Sequence, residues 1–311
     1  MTGAIDYAPE VAQARHAGRP VVALESTLIT HGLPYPANVE TALAMEAAVR
    51  VGGAVPATIA ILGGRLTVGL SREQIEGLAA RPAGQVRKCS RRDLPIAVAL
   101  QEDAATTVAG TMIIAHAAGI RVFATGGIGG VHRGQPWDIS ADLLELGRTP
   151  VAVVCSGAKA ILDLPLTLEV LETQGVPVIG LGTDCLPGFY TRATALPVDV
   201  NLPTPAAVAG VIAAAIRLGA RHGLLITVPV PEADALPPAA MEAAIAQAVA
   251  EADQRGLRGK TVTPFLLARV SELSGGASRR ANISLLVNNA RTAGLIAAAL
   301  GLATGFSAPV D

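Results

Sequence analysis

Lysine is scarce in this chain, and that scarcity draws attention to one side chain able to act as a nucleophile. The 311 residues include 24 lysines and arginines, of which only Lys88, Lys159 and Lys260 are lysines. A guanidinium stays protonated, whereas a desolvated lysine can lose its proton and attack a carbonyl carbon. Lys159 ends the apolar segment Pro150-Val-Ala-Val-Val-Cys-Ser-Gly-Ala-Lys159. It is therefore a candidate nucleophile, although codon bias and a surface position would also explain a lone lysine.

A carboxylate occupies a similar position in Ala23-Leu-Glu-Ser-Thr-Leu-Ile-Thr-His31. Glu25 directly follows an apolar run, which makes it a candidate general acid or base. The alternative is a carboxylate that accepts hydrogen bonds from backbone amides of the next loop. His31 is either a base or a loop residue packed against Tyr35, and the second interpretation is favoured.

Closely spaced glycines follow another apolar run, in Ala124-Thr-Gly-Gly-Ile-Gly-Gly-Val-His-Arg-Gly134. Such a loop lets backbone amides approach an anion. The spacing is neither that of a dinucleotide-binding fingerprint nor that of a Walker loop. With His132 and Arg133 beside it, the loop favours a phosphate or carboxylate ligand.

Oxygen-bearing side chains alternate in Trp137-Asp-Ile-Ser-Ala-Asp-Leu143. Asp138, Ser140 and Asp142 suit Mg²⁺, Mn²⁺ or sugar hydroxyls. The same pattern fits the start of a helix, with Ser140 as the N-cap and Asp142 at the positive end. Both interpretations remain open at this level.

Two further segments are polar enough to bind a ligand. Arg87-Lys-Cys-Ser-Arg-Arg-Asp93 suits a phosphate clamp or a solvated loop, with the loop slightly favoured. Asn282 is spaced so that its amide lies near one helix face with Asn288 and Asn289. Buried amides need partners, so these side chains bind either a polar ligand or a neighbouring helix.

Short apolar runs alternate with helical stretches and determine the predicted fold. Strands are predicted at 20–24, 58–62, 121–125, 151–155, 176–180 and 223–227. Helices are predicted at 38–51, 75–80, 106–118, 161–174, 206–218, 239–255, 264–273 and 283–300. This order predicts an α/β protein: a three-layer α/β/α sandwich with a largely parallel (mixed) central sheet, a helical C-terminal third and a single domain, 1–311. The carboxyl ends of its strands would carry Glu25, Thr125 and Lys159.

Composition narrows the classes of function. Net charge is −1 with no long basic run, which argues against nucleic acid as a partner. The longest apolar stretches are too short to span a membrane, and the N-terminus does not resemble a signal peptide. Cys89, Cys155 and Cys185 share no CxxC spacing and are expected to be reduced thiols of a cytoplasmic protein.

Together these segments resemble the pseudouridine-5′-phosphate glycosidase family, which includes indigoidine synthase A-like proteins. The matching motifs run in order from about residue 5 to about residue 300: Ala-Leu-Glu-Ser-Thr, His-Gly-Leu-Pro-Tyr-Pro, Val-Pro-Ala-Thr-Ile-Ala, Ser-Arg-Arg-Asp-Leu-Pro, Thr-Thr-Val-Ala-Gly-Thr-Met, Ala-Thr-Gly-Gly-Ile-Gly-Gly-Val-His-Arg-Gly, Asp-Ile-Ser-Ala-Asp-Leu, Ser-Gly-Ala-Lys and Val-Thr-Pro-Phe-Leu-Leu. The series as a whole is highly specific.

The resemblance implies a role for each matching residue. Lys159 corresponds to the Schiff-base lysine, Glu25 to the proton donor, and Asp138 to the carboxylate that holds a divalent metal, usually Mn²⁺. The implied substrate contacts are Lys88, Val108, Thr125, His132, Ser140, Ala141, Asp142 and Asn282, with Asn288 and Asn289 competing with Asn282 in the alignment. Lys260 keeps the interpretation of a loop amine.

The resemblance also implies an activity: reversible cleavage of pseudouridine 5′-phosphate by water to uracil and ribose 5-phosphate, in a cytoplasmic homotrimer. A lysine iminium at ribose C1′ would act as an electron sink for breaking the carbon–carbon bond. The chain departs from the family pattern at Val228–Pro231 and Pro197–Pro203, which concern the pocket rim and subunit contacts. The alternatives are a lysine-dependent lyase or biosynthetic enzyme for another sugar phosphate, and a non-catalytic sugar-phosphate-binding regulator. A pure binder has no need for a nucleophilic amine, which disfavours the regulator.

Overall fold

The computed structural model describes residues 5–82, 84–257, 259 and 262–304. Lys260 lies outside these residues. The strands are β1 (Ile5–Tyr7), β2 (Val21–Leu24), β3 (Val55–Leu62), β4 (Arg65–Val68), β5 (Arg87–Cys89), β6 (Ala104–Thr106), β7 (Val122–Ala124), β8 (Val131–His132), β9 (Gln135–Ile139), β10 (Ala152–Cys155), β11 (Leu162–Asp163), β12 (Val178–Leu181), β13 (Val200–Leu202) and β14 (Leu224–Thr227). The α-helices are α1 (Pro9–His16), α2 (Ala37–Val51), α3 (Arg72–Ala79), α4 (Leu94–Ala99), α5 (Val108–Ala117), α6 (Ala141–Leu146), α7 (Leu164–Thr173), α8 (Pro205–Arg217), α9 (Pro238–Gln254), α10 (Val262–Leu273) and α11 (Ala277–Thr304).

The main sheet is mixed but largely parallel, as the sequence predicts. Its strands follow the order β1-β4-β3-β2-β7-β10-β14-β12-β13, with β6 beside β3 and β5 beside β6. The pairs of β3 with β4 and with β6 are antiparallel. The central strands β7, β10 and β14 are buried along their whole length. Apolar side chains on both faces of a strand require helices on both sides of the sheet.

Helices flank the sheet in two groups, which confirms the predicted α/β/α class. Helices α2 and α8 each pack on α11, and α11 also contacts β2, β7 and β10. Helix α5 contacts β2 and β3, and it packs against α6, which in turn meets α7. The carboxyl ends of the parallel strands therefore open onto loops held between helices.

Helix α11 is long and apolar enough to cross a membrane by composition alone. In this fold, however, 56% of an apolar 18-residue window within Ala277–Leu302 is buried inside the protein. Gly294 allows α11 to approach α2 closely, because a Cβ there would lie 2.6 Å from the carbonyl oxygen of Val49. We interpret α11 as a core helix.

A small second sheet, in the order β11-β8-β9, was not predicted from the sequence. Its strand β11 occupies the start of the helix that was predicted from residue 161. Helix α7 begins only at Leu164, where the Asp163 carboxylate accepts a hydrogen bond from the Leu166 amide at 3.0 Å. This cap ends the extended segment and fixes the start of the helix.

Candidate active site

Glu25 lies at the carboxyl end of β2, with only 8% of its surface exposed. The hydroxyls of Thr27 and Thr125 donate hydrogen bonds to its two carboxylate oxygens. Thr125 directly follows β7, the strand paired with β2. The buried carboxylate is thus satisfied by hydroxyls, and not by the backbone amides considered above. Thr27 was missed as a site residue, although its place two positions after Glu25 was a usable signal.

Lys159 lies in the turn after β10, in a segment we call the lysine loop (residues 156–160). This loop runs alongside the glycine loop (residues 125–130). The Ser156 amide donates to the Gly126 carbonyl at 2.9 Å, and the Lys159 amide donates to the Ile128 carbonyl at 3.0 Å. The Lys159 side chain is half-buried, and within the described residues its Nζ makes no hydrogen bond or ion pair. Backbone hydrogen bonds thus fix the main chain at Lys159 and leave its side-chain amine available.

The glycines of the glycine loop serve close packing. A Cβ on Gly127 would lie 2.7 Å from the Phe189 ring, and one on Gly130 would lie 2.3 Å from the Thr167 hydroxyl. The amides of Ile128, Gly129 and Val131 donate to the Gly157 carbonyl, the Asp142 carboxylate and the Thr167 hydroxyl, respectively. Three amides that the sequence offered to an anion are therefore used inside the protein.

Asp142 joins the glycine loop to the start of α5. One carboxylate oxygen accepts the Ala109 amide and the other the Gly129 amide, each at 2.9 Å. Ser140 is the N-cap of α6 and accepts the Asp142 amide at 3.2 Å, which confirms the capping interpretation. Ala141, between them, is exposed. Asp142 thus places the first residue of α5, the buried Val108, next to the glycine loop.

The β8–β9 hairpin brings His132 and Asp138 to the same edge. Burial lowers the pKa of His132; Asp138 opposes this change, and the positive charges of Lys159 and Lys88 add to it. His132 is therefore within electrostatic reach of a carboxylate and of two lysines. All four side chains are half-buried. No three or more His, Cys, Asp or Glu side chains of the described ranges form a metal-binding group.

The charged segment 87–93 forms β5 and a short 3-10 turn, and two of its arginines pair with glutamates elsewhere in the chain. Arg87 binds Glu102 at 2.5 and 2.9 Å, and Arg91 binds Glu145 at 2.6 and 2.7 Å. These two arginines are therefore not directed at a ligand. Lys88 lies between them on β5, paired in register with Ala105 of β6.

Arg133 likewise faces the protein. Its guanidinium binds Glu242 of α9 at 2.5 and 3.1 Å. It also donates to the carbonyls of Leu162 and Ala160 at 3.1 and 3.0 Å. The predicted use of Arg133 for a phosphate or carboxylate ligand is therefore not what the structure shows. Instead, Arg133 holds the end of the lysine loop.

Among the asparagines, Asn289 is the one that reaches the strand ends. Its Nδ2 donates to the Thr125 carbonyl at 2.9 Å and to the Ser156 hydroxyl at 3.1 Å. Asn282 is half-buried, two helical turns earlier on the same side of α11, and Leu286 between them contacts Gly126. Asn289 thus bonds to two loops of the protein and not to a neighbouring helix. A ligand contact remains a prediction for Asn282, which lies on the same side of α11.

The arrangement places a carboxylate after β2 and an amine after β10, the two strands on either side of β7, with cations and a second carboxylate nearby. The model for indigoidine synthase A-like proteins matches residues 10–299 of the chain. The chain belongs to that family. The resemblance stated from the motifs is thereby confirmed.

Known members of the family align over nearly their whole length. A pseudouridine-5′-phosphate glycosidase from Methylobacterium nodulans is 56% identical, over 95% of this chain and 88% of the relative. The crystal structure of the prealnumycin C-glycosynthase AlnA in complex with ribulose 5-phosphate has a TM-score of 0.90 and 45% identity, covering 97% of this chain and 99% of that one. An indigoidine synthase A-like protein from Thermotoga maritima has a TM-score of 0.87 and 34% identity, with 96% of both chains covered. The two solved structures share the fold of this chain over nearly its whole length.

Proposed function

We propose that this protein is a glycosidase that reversibly cleaves pseudouridine 5′-phosphate with water to uracil and ribose 5-phosphate. The observation that carries the proposal is that Lys159 and the hydroxyl-bound Glu25 follow β10 and β2, the two strands on either side of β7. Lys159 is half-buried and makes no ion pair among the described residues. The names of the curated relatives support the same substrate.

Lys159 acts as the nucleophile. Its amine bonds to ribose C1′ as the C1′–O4′ bond breaks, and O4′ takes a proton. The nitrogen lone pair then forms the C1′=N bond while the C1′–C5 bond breaks, and uracil C5 receives that electron pair together with a proton. Water hydrolyses the imine, which releases ribose 5-phosphate and restores the amine.

Glu25 moves the protons that these steps require. A carboxyl group within reach of the reacting atoms can protonate O4′ and later uracil C5. The hydroxyls of Thr27 and Thr125 orient it, since each bonds a different carboxylate oxygen. Because it is buried, Glu25 exchanges protons with the substrate more readily than with bulk water.

Asp138 fits a divalent cation, for which we propose Mn²⁺. The carboxylate is half-buried and makes no hydrogen bond to a described residue, and a hard cation with one protein carboxylate keeps several waters. When bound, such an ion supplies positive charge and oriented waters. A water-rich coordination would agree with the finding that no three or more His, Cys, Asp or Glu side chains of the described residues form a metal-binding group.

Substrate contacts are proposed for the residues around this pair. Lys88 provides positive charge beside the first turn of α5, where Val108 begins a helix whose amino end also attracts anions. The remaining proposed contacts are Thr125, His132, Ser140, Ala141, Asp142 and Asn282. For Asp142 the carboxylate is occupied by amides, so its contact would be made through the backbone.

The test is direct. Purified protein is incubated with pseudouridine 5′-phosphate and Mn²⁺, uracil is quantified by chromatography, and the imine is trapped with borohydride. Lys159→Arg keeps the charge and removes the nucleophile, so uracil release should fall about a thousandfold and trapping should vanish. Lys260→Ala is the lysine control and should behave as wild type. No uracil from the wild type would refute the activity, and an adduct that survives Lys159→Arg would refute the residue.

One observation favours a second candidate. The likeness to AlnA, named a C-glycosynthase, suggests a biosynthetic enzyme that joins a sugar 5-phosphate to another carbon nucleophile. Both enzymes would use Lys159. Incubation with ribose 5-phosphate and either uracil or an aromatic acceptor separates them, because only the preferred acceptor yields a C-glycoside.

We further propose a cytoplasmic homotrimer. Large apolar side chains are exposed, among them Trp137 at 93% and Leu218 at 85%, and an assembly would cover some of them. Cys89 and Cys155 are buried thiols that form no disulfide within the described residues, which suits a reducing compartment. Light scattering after gel filtration measures the mass, and a monomer would overturn the assembly.

A further inference from the structure

Phe189 has a backbone conformation that bulky residues rarely adopt. Its φ is 65°, in the left-handed region, and only 2% of its surface is exposed. A non-glycine residue held there costs free energy, and the surrounding structure must keep it in place.

Phe189 contacts both loops of the proposed site. Its amide donates to the Ser156 carbonyl at 3.2 Å, at the start of the lysine loop. Its ring fills the space over Gly127, where a Cβ would lie 2.7 Å from the ring and 3.0 Å from the Gly157 carbonyl. Phe189 therefore meets the two loops where they run side by side.

The segment around Phe189 is tied down on its far side. The Tyr190 carbonyl accepts the Leu236 amide at 2.9 Å, and the Tyr190 hydroxyl is hydrogen-bonded to Ser278 in α11. The rings of Phe189 and Tyr190 meet edge-on at 4.8 Å. The left-handed turn is thus held between the catalytic loops and a core helix.

We propose that Phe189 is a positioning residue that sets where the Lys159 amine lies relative to Glu25. The ring packs against the glycine loop and the amide is hydrogen-bonded to the lysine loop, so the distance between the two loops is fixed. Phe189 is not assigned any contact with substrate. This inference rests on the proposed role of Lys159 as the nucleophile, and it goes beyond that role by naming what positions it.

The test measures the reactivity of the amine itself. Wild type and variants are incubated with ribose 5-phosphate and cyanoborohydride, and reduced adduct on Lys159 is quantified by peptide mass spectrometry. Phe189→Ala should slow labelling by about tenfold or more, because a misplaced reacting group loses at least that much. Phe189→Leu, which retains most of the core volume, should show an intermediate rate. In the uracil assay kcat should fall with labelling, while KM changes little.

A size swap distinguishes positioning from loss of stability. Gly127→Ala alone places a methyl group against the ring and should slow labelling. Combined with Phe189→Ala, the same methyl group occupies the vacated space and should restore labelling at least threefold relative to Phe189→Ala. Gln101→Gly is the matched control, since Gln101 is the other described non-glycine residue with positive φ and lies outside the site. It should label as wild type.

The outcomes separate the two proposals. Folded Phe189→Ala that labels at the wild-type rate overturns the positioning role; if that variant does not fold, wild-type labelling of Phe189→Leu does so. Adducts on Lys159 without uracil release from pseudouridine 5′-phosphate overturn the proposed substrate alone.

Discussion

The hydroxyl partners of Glu25 suit a group that must both hold and release a proton. A threonine hydroxyl can donate to a carboxylate, and after rotation it can accept from a carboxylic acid. Thr27 and Thr125 can therefore follow the proton on Glu25 without any movement of the backbone. Backbone amides could only donate, and would hold the carboxylate in its charged form.

Removing one hydroxyl should affect rate more than binding. Thr125→Val leaves one Glu25 oxygen without its donor, so kcat for uracil release should fall about tenfold, while Thr125→Ser should retain most activity. Steady-state kinetics measure both. The control is Thr227→Val, a buried threonine at the end of β14 whose hydroxyl bonds the Ile179 carbonyl at 3.1 Å. It should lose about 1 kcal/mol of stability and keep its kcat.

A strained residue outside the site provides a stability prediction. Gln101 has φ 53° just after α4, a position where glycine is preferred. Gln101→Gly should raise the free energy of unfolding by up to about 1 kcal/mol, since relief of strain outweighs the added freedom of the unfolded chain. Urea unfolding measures it. A loss of stability would mean that the Gln101 side chain makes favourable contacts.

At the residue scale, the sequence predicted the candidate reactive side chains better than it predicted the contacts that other side chains make. Glu25 and Lys159 were identifiable as candidates because Glu25 directly follows an apolar strand and Lys159 lies in the short turn after another. Asn289 and Asn282 share one helix face, and periodicity alone does not say which of them meets a loop. Phe189 was not identifiable, because a left-handed φ at a phenylalanine leaves no mark in composition.

Among the elements, the buried parallel strands were predictable and the short strands were not. Strands β7, β10 and β14 are apolar throughout, so their burial on both faces is written in the sequence. Strand β9, by contrast, contains Gln135, Trp137 and Asp138 and exists because β8 pairs with it. Pairing with another strand decides whether such a segment becomes a strand. That pairing sets the position of Asp138, which the alternation of oxygen-bearing side chains alone does not predict.

Asp142 connects α5, α6 and the glycine loop, so neutralising it should loosen all three. Asparagine can accept only one of the two amide hydrogen bonds, so Asp142→Asn should lose about 2 kcal/mol of stability. Ser140→Ala, which removes only the helix cap, should lose about 1 kcal/mol. Thermal or urea unfolding ranks the two. Equal losses would mean that the carboxylate does not join the elements.

Glu46 makes the packing of α2 on β3 dependent on pH. Burial raises its pKa, against smaller opposing effects of the Thr58 hydrogen bond and Arg50. The pKa of Glu46 in the folded protein thus lies above its unfolded value of about 4.5, so its contribution to stability is fully present below that pH. This contribution is lost as the pH rises through the folded-state pKa. Glu46→Gln cannot titrate, so its stability relative to wild type should rise between pH 4.5 and 8.

Urea unfolding across that range tests the sign. Glu40→Gln, on the exposed side of the same helix, is the control and should track wild type. A Glu46→Gln curve parallel to wild type at every pH would show that burial does not affect this carboxyl.

At the scale of the whole molecule, α11 determines how closely the helices on its side of the sheet pack together. Helix α11 crosses α2 where Gly294 and Gly52 leave no room for a side chain, and a Cβ on Gly294 would lie 2.9 Å from the Gly52 Cα. Gly294→Ala should therefore separate the helices and cost about 1–3 kcal/mol. Gly301→Ala, in the same helix with nothing within 4 Å, should instead gain up to about 1 kcal/mol. Calorimetry on both variants checks the contrast; similar effects would rule out the close crossing.

The hydrogen bonds from Asn289 can form only late in the synthesis of the chain. Every loop that carries a proposed catalytic group precedes α11 in the chain, so the ribosome makes Thr125, Ser156 and Lys159 first. Asn289, which bonds the first two, is made more than a hundred residues later. A growing chain therefore carries the proposed nucleophilic amine through more than a hundred residues of further synthesis before the hydrogen bonds from Asn289 can form. The cell's aldehydes and sugar phosphates meet an assembled site only once translation has passed α11.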